Sequence, residues 1–158
     1  MRWIILQLGW LLTFSSVALT AEISGKAMVI DGDTIGVGEA RIRIHGIDAP
    51  ESKQICETAQ GPWFCGKSAA DALAGKVNNQ AVVCDDLGRD RYRRILGRCW
   101  IDGYDLGAWM VSNGWALAFR RYSLDYVGEE KSAKDAKRGI WASEFLEPWE
   151  WRKEIRSR

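Results

Sequence analysis

Between Ser24 and Pro50 the chain carries three strand-like runs set so close together that they read as one antiparallel meander. Ser24 to Ile30 has strand character, Asp31-Gly32 is a turn signal, and Thr34-Ile35-Gly36-Val37 resumes the extended pattern. Arg41-Ile42-Arg43-Ile44 then alternates strictly, which sends both isoleucines to one face and both arginines to the other. Pro50 ends this third strand, since proline cannot donate to a ladder.

The later chain mixes both kinds of periodicity. Ala69, Ala72, Leu73 and Lys76 have helical spacing between Cys65 and Val77, and Asn78-Asn79 closes that helix. Ala81 to Cys84 and Ile95 to Ile101 are short apolar runs joined by a charged segment, a second hairpin. Leu106, Trp109 and Met110 mark a helix ending near Asn113-Gly114, and a third runs from about Glu129 to Lys137, stopped by Gly139. Five strands with about three helices predict an α+β fold built on a small Greek-key barrel of the OB type.

At 158 residues the chain suits one domain with one core. The first 21 residues stand apart: Arg2, the apolar run Trp3 to Leu12, then small residues ending at Ala18 to Ala21. This is the order of a secretory signal peptide, cleavable after Ala18 or Ala21, and too short an apolar core for a membrane span unless it stays uncleaved. The expected products are a leader over 1–21 and a domain over 22–158, exported to the periplasm or beyond the cell. Arg2 is the leader's one charge, so the 22 basic residues fall to 21 against 21 acidic ones. A neutral domain does not coat nucleic acid by bulk charge. Local clustering has to carry any such binding, and Arg89, Arg91, Arg93, Arg94 and Arg98 are clustered.

Four cysteines, Cys56, Cys65, Cys84 and Cys99, all follow the leader, where export favours disulfides. They lack the paired C-x-x-C blocks of a zinc site. Of three pairings, Cys56 with Cys65 and Cys84 with Cys99 is favoured, because the second pair would face each other across a hairpin.

Asp31 and Asp33 flank a turn glycine, and aspartates are common at turns for conformational reasons alone. Asp48 and Glu51 alter that balance by bracketing a strand end stiffened by Pro50, beside Arg43. Carboxylates at neighbouring strand ends, completed by a backbone carbonyl, can hold a hard cation such as calcium. Arg43 and an arginine of Asp90-Arg91-Tyr92-Arg93-Arg94 supply forked donors for phosphate oxygens. His45, the only histidine, is read as structural, and no serine lies in a nucleophile-elbow sequence. Trp63, Trp100, Trp109, Trp115 and Trp141 read as core, and the Trp149–Trp151 tail as packed back on the barrel.

Together these motifs, Val29-Ile30-Asp31-Gly32-Asp33-Thr34, Arg43 through Glu51, Asp90 through Arg94 and Gly139-Ile140-Trp141, resemble the staphylococcal nuclease (thermonuclease) family. That resemblance implies Asp33, Asp48 and the main-chain oxygen of Ala49 as calcium ligands. Glu51 would position or deprotonate the attacking water, with Arg43 and Arg94 on the scissile phosphate. Arg91 and Tyr92 would contact a terminal phosphate, and Tyr122 would line a base pocket. Arg93 stands where the family usually has glycine, and a side chain there could shift the turn; Arg94 is preferred as the inward-pointing residue because it keeps the spacing from Tyr92 and the following Ile95-Leu96-Gly97. The activity implied is a calcium-dependent, secreted endonuclease acting on single-stranded or flexible DNA and RNA to leave 3′-phosphate ends. No stable protein partner is expected and a monomer suffices. The alternative is a noncatalytic nucleic-acid-binding or interaction module of the same fold.

Overall fold

In the computed structural model, which describes residues 21–158, five strands close into a barrel. The expected leader lies, apart from Ala21, outside the described residues. In chain order the elements are β1 (Glu22–Asp31), β2 (Thr34–Val37), β3 (Ala40–Ile44), β4 (Ile47–Asp48), β5 (Cys56–Thr58) and β6 (Gly61–Trp63), then α1 (Cys65–Val77). β7 (Ala81–Arg89), β8 (Ile95–Ile101) and β9 (Tyr104–Asp105) follow, then α2 (Leu106–Ser112), β10 (Leu117–Ala118), α3 (Val127–Asp135), a 3-10 turn (Gly139–Ala142) and α4 (Pro148–Ser157).

The meander forms as its alternation predicts, and β1 is long enough to change partners along its length. Glu22 to Lys26 pair with β7, and Ala27 to Asp31 pair with β2, so one strand turns the corner of the barrel. Closure comes from β3 and β8 running parallel, with Ile42 opposite Ile95 and Ile44 opposite Gly97. A Cβ on Gly97 would lie 2.5 Å from Ile42 Cγ2, so only glycine allows the strands to meet here.

Ile35, Ile42, Ile44, Val82 and Ile101 fill the barrel, plugged by Leu73 of α1 and by Leu106 and Met110 of α2. Each such side chain contributes on the order of 1.5–3 kcal/mol by leaving water. A smaller core gathers Cys56, Cys65, Leu117 and Ile140 under Trp63, Trp141, Phe145 and Trp149. Both favoured disulfides are present: Cys84 and Cys99 are directly opposed across the β7–β8 hairpin, and Cys56–Cys65 ties β5 to the start of α1.

Among the described residues four helices are present where about three were expected, and the addition is α4. Pro148 at its first turn is a start signal, but the segment is highly charged and has few apolar residues. Trp149 stacks on Phe119 at 5.5 Å, so the tail does pack back on the body. Among the described residues no helix is long and apolar enough to cross a membrane.

Candidate active site

Asp33 sits in the turn between β1 and β2, and Arg43 stands opposite Thr34 on β3, so register alone makes them neighbours. The Asp33 Oδ1 accepts from Arg43 and from the Thr34 hydroxyl at 3.0 Å, while Oδ2 accepts the Ala49 amide at 3.1 Å. Pairing of β4 with β10 holds Asp48 opposite Leu117, and its carboxylate is wholly buried. Arg43 reaches Asp48 Oδ1 at 2.9 Å with its second terminal nitrogen, which also donates to the Ile47 carbonyl at 3.3 Å. One guanidinium thus lies between two buried carboxylates. Burial works against the Arg43 cation, yet Asp33 and Asp48 outweigh it and raise its pKa above arginine's usual value.

Gly32 lets the two loops touch, since a Cβ there would stand 2.7 Å from the Ala49 methyl. Asp31 accepts the Asp33 amide at 3.1 Å. Burial first, and the nearby Asp33 charge second, push its carboxyl up to about 6.

The arginine-rich turn resolves in favour of Arg94. Asp90 accepts the amides of Tyr92 (2.8 Å) and Arg94 (2.9 Å) and the Arg94 Nε (2.8 Å). Burial disfavours the Asp90 carboxylate, but these donors prevail and its pKa falls below the ordinary value. Arg93 adopts the left-handed conformation, φ 65°, natural to glycine, and points to solvent. The backbone turn survives the substitution, and half-buried Arg94 aims at the Thr34 hydroxyl 3.4 Å away. Arg91 and Tyr92 are exposed beside it, with the Arg91 guanidinium 4.8 Å over the Tyr92 ring. Tyr122 packs edge-on against Phe119 at 5.0 Å, and Phe119 in turn stacks on Trp149 of α4. His45 is half-buried in the turn after β3, its amide bonded to the Gly97 carbonyl at 2.8 Å.

One residue at the centre has no sequence signal. Arg152 of α4 makes a forked contact with Asp48, at 3.1 Å to Oδ1 and 2.6 Å to Oδ2, and reaches Glu51 Oε1 at 2.7 Å. It lies 104 residues from Asp48 and beyond the last of the recognisable motifs. Its neighbourhood is prepared by buried Gln54, which accepts the Glu51 amide at 3.2 Å and donates to the Leu146 carbonyl at 2.6 Å.

Among the described residues no group of three or more acidic, histidine or cysteine side chains is arranged to hold a metal. The donors at hand are two buried carboxylates, Asp33 and Asp48, with the Ala49 main chain beside them. This all-oxygen set fits a hard cation that completes its coordination with water, and does not fit a thiophilic metal.

The family described as staphylococcal nuclease homologue matches residues 41–143, a segment holding Arg43, Asp48, Ala49, Glu51 and Arg94 but neither Asp33 nor Arg152. An uncharacterized endonuclease of Escherichia coli is 36% identical over 151 residues, covering 90% of this chain and 93% of that protein. The succinoglycan biosynthesis protein ExoI of Rhizobium meliloti (strain 1021) is 36% identical over 126 residues, 77% of this chain and 66% of its own length. A probable staphylococcal-like nuclease, CAN4, of Oryza sativa subsp. japonica is 33% identical over 151 residues, 93% of this chain and 29% of its own length. By matched segment, identity and barrel alike, the chain belongs to the staphylococcal nuclease family.

Proposed function

We propose that the protein is an exported, calcium-dependent endonuclease that hydrolyses phosphodiester bonds of single-stranded or flexible DNA and RNA to leave 3′-phosphate ends. The observation that carries this reading is the convergence of Asp33, Asp48 and Glu51 with Arg43, and of Arg94 through Thr34, at one end of the barrel. Two disulfides accord with an oxidising compartment outside the cytoplasm.

Asp33, Asp48 and the Ala49 carbonyl would hold the cation, which supplies Lewis-acid polarisation of a phosphoryl oxygen when bound. Glu51 takes the proton of the attacking water; among the described residues only Arg152 binds its carboxylate, through Oε1. Arg43 and Arg94 meet the charge that develops on the phosphoryl oxygens as the bond to the 5′ oxygen breaks. Half-buried Arg43 is pre-set by its two carboxylates, and Arg94 by Asp90, so neither has to be ordered at the moment of reaction. Tyr92, exposed at the rim, offers a face on which an unpaired base can stack.

Incubating the purified protein with denatured DNA, with calcium or with excess chelator, tests this. Calcium-dependent fragments ending in 3′-phosphate are expected. Cleavage that survives full chelation would remove the cation from the reaction. Binding without cleavage under every divalent cation would make the protein a noncatalytic module of the same fold.

A further inference from the structure

Arg152 stands among the carboxylates of the site without a part in the chemistry above. It is not a loose surface side chain. α4 is docked by the Trp149–Phe119 stack and by buried Pro148, and the segment before it is stitched to the body twice. Glu144 and Glu57 exchange main-chain hydrogen bonds at 2.8 and 2.9 Å, and Gln54 grips the Leu146 carbonyl. The guanidinium therefore arrives on a rigid arm and lands on both oxygens of Asp48 and one of Glu51.

This geometry has two consequences of opposite sign. Glu51 has no other described partner for its carboxylate, so Arg152 alone fixes the direction of that side chain. Asp48, by contrast, is already held by Arg43 and buried. A second cation on it is superfluous for orientation and competes with any metal ion for the same oxygens. A purely structural ion pair would need Asp48 alone; the third contact, to Glu51, is the one that a prop does not require.

We infer that Arg152 is a positioning residue, which aims the Glu51 carboxylate at the attacking water while sharing Asp48 with the metal ion, so that it raises turnover and weakens cation binding together. The inference rests on the nuclease reading proposed above and adds to it a residue from outside the segment that defines the family match. It predicts that α4 belongs to the working site.

The test compares wild type with Arg152→Gln and Arg152→Lys, using calcium titration calorimetry without substrate alongside kcat and KM on denatured DNA at saturating calcium. In Arg152→Gln, kcat is expected to fall by about 10²-fold, the loss typical of a misplaced reacting group. Its calcium dissociation constant is expected to fall by roughly tenfold, within the usual range of coupling between sites. Arg152→Lys keeps the charge and loses the fork, so its calcium affinity stays close to wild type while kcat is still reduced. Should the Gln variant fail to fold, the Lys variant still tests the aiming of Glu51, since wild-type kcat in it would overturn the inference, and Arg152→Met takes the place of Gln for calcium affinity. Turnover and calcium affinity falling together in a folded variant would reduce Arg152 to a prop and overturn the inference. So would an Arg152→Gln protein with wild-type kcat beside an active wild type, leaving the nuclease reading intact. A wild type inert with every divalent cation overturns that reading and this inference with it.

Discussion

The amide of Ala49 donates to the carboxylate of Asp33 across 3.1 Å, joining the turn after β1 to the loop after β4. The bond is possible because Gly32 presents no side chain to Ala49 or to Ala69 of α1. A Gly32→Val variant forces three groups apart, and overpacking of this kind costs about 1–3 kcal/mol. Urea denaturation in chelator should register the loss, and calcium affinity should fall with it. A variant of wild-type stability would show that the contact is slack.

In the mechanism proposed above, Glu51 and Arg94 have parts in the chemical step and none in the fold. Glu51→Gln leaves a side chain of the same size without a base, and general-base catalysis contributes about 10²–10⁴-fold. Arg94→Lys loses the Nε that donates to Asp90 and the terminal nitrogen that reaches Thr34. Both should reduce kcat on denatured DNA strongly with near-UV circular dichroism unchanged. A variant that keeps near-normal turnover removes its residue from the mechanism.

Asp31 supplies a pH dependence whose sign follows from its environment. Its carboxyl, raised to about 6 from an ordinary 3.8, favours the protonated form in the folded state. Below about pH 4 the group is neutral in both states and the full benefit is present. As pH rises through 6 the unfolded chain has already ionised, and that stability is lost. Asp31→Asn should therefore match wild type near pH 4 and exceed it by about 1–3 kcal/mol near pH 7.5, since each pKa unit is worth about 1.4 kcal/mol. Thermal melts in chelator at the two pH values check this, and an equal difference at both would refute it.

Cys84 and Cys99 close the hairpin that feeds Arg94 into the site. Replacing both by serine should cost about 2–5 kcal/mol, the usual loss for a native disulfide. Denaturant midpoints of the oxidised proteins measure it. A cost near zero would mean that the directly opposed strands hold their register unaided.

The barrel was legible because its determinants are local. Strict alternation at Arg41 to Ile44, the Asp31-Gly32 turn and the helical spacing of α1 each act within a few residues. Arg43, Asp48 and Glu51 were legible for the same reason, since strand phase and a strand-ending proline place them. The spacing from Tyr92 favours Arg94 over Arg93 as the inward residue, but does not show how a non-glycine residue accepts φ 65° at Arg93, a turn that Asp90 holds through three hydrogen bonds. Arg152 was out of reach altogether. Its partners are 101 and 104 residues away, and within its own segment it is one charge among many on a short helix.

The parallel meeting of β3 and β8 sets the order in which the site can come together. The β1–β3 meander and the β7–β8 hairpin each need only short loops, whereas their union must close a chain of roughly fifty residues before any contact rewards it. Asp33, Arg43 and Asp48 can therefore find one another early, inside one contiguous stretch. Arg94 reaches Thr34 only when the barrel shuts, and Arg152 reaches Asp48 only when the end of the chain has docked. A partly folded molecule would hold Asp33, Asp48 and Arg43 without Arg94 and Arg152, so the proposed cleavage site is complete only once the barrel has shut and the tail has docked.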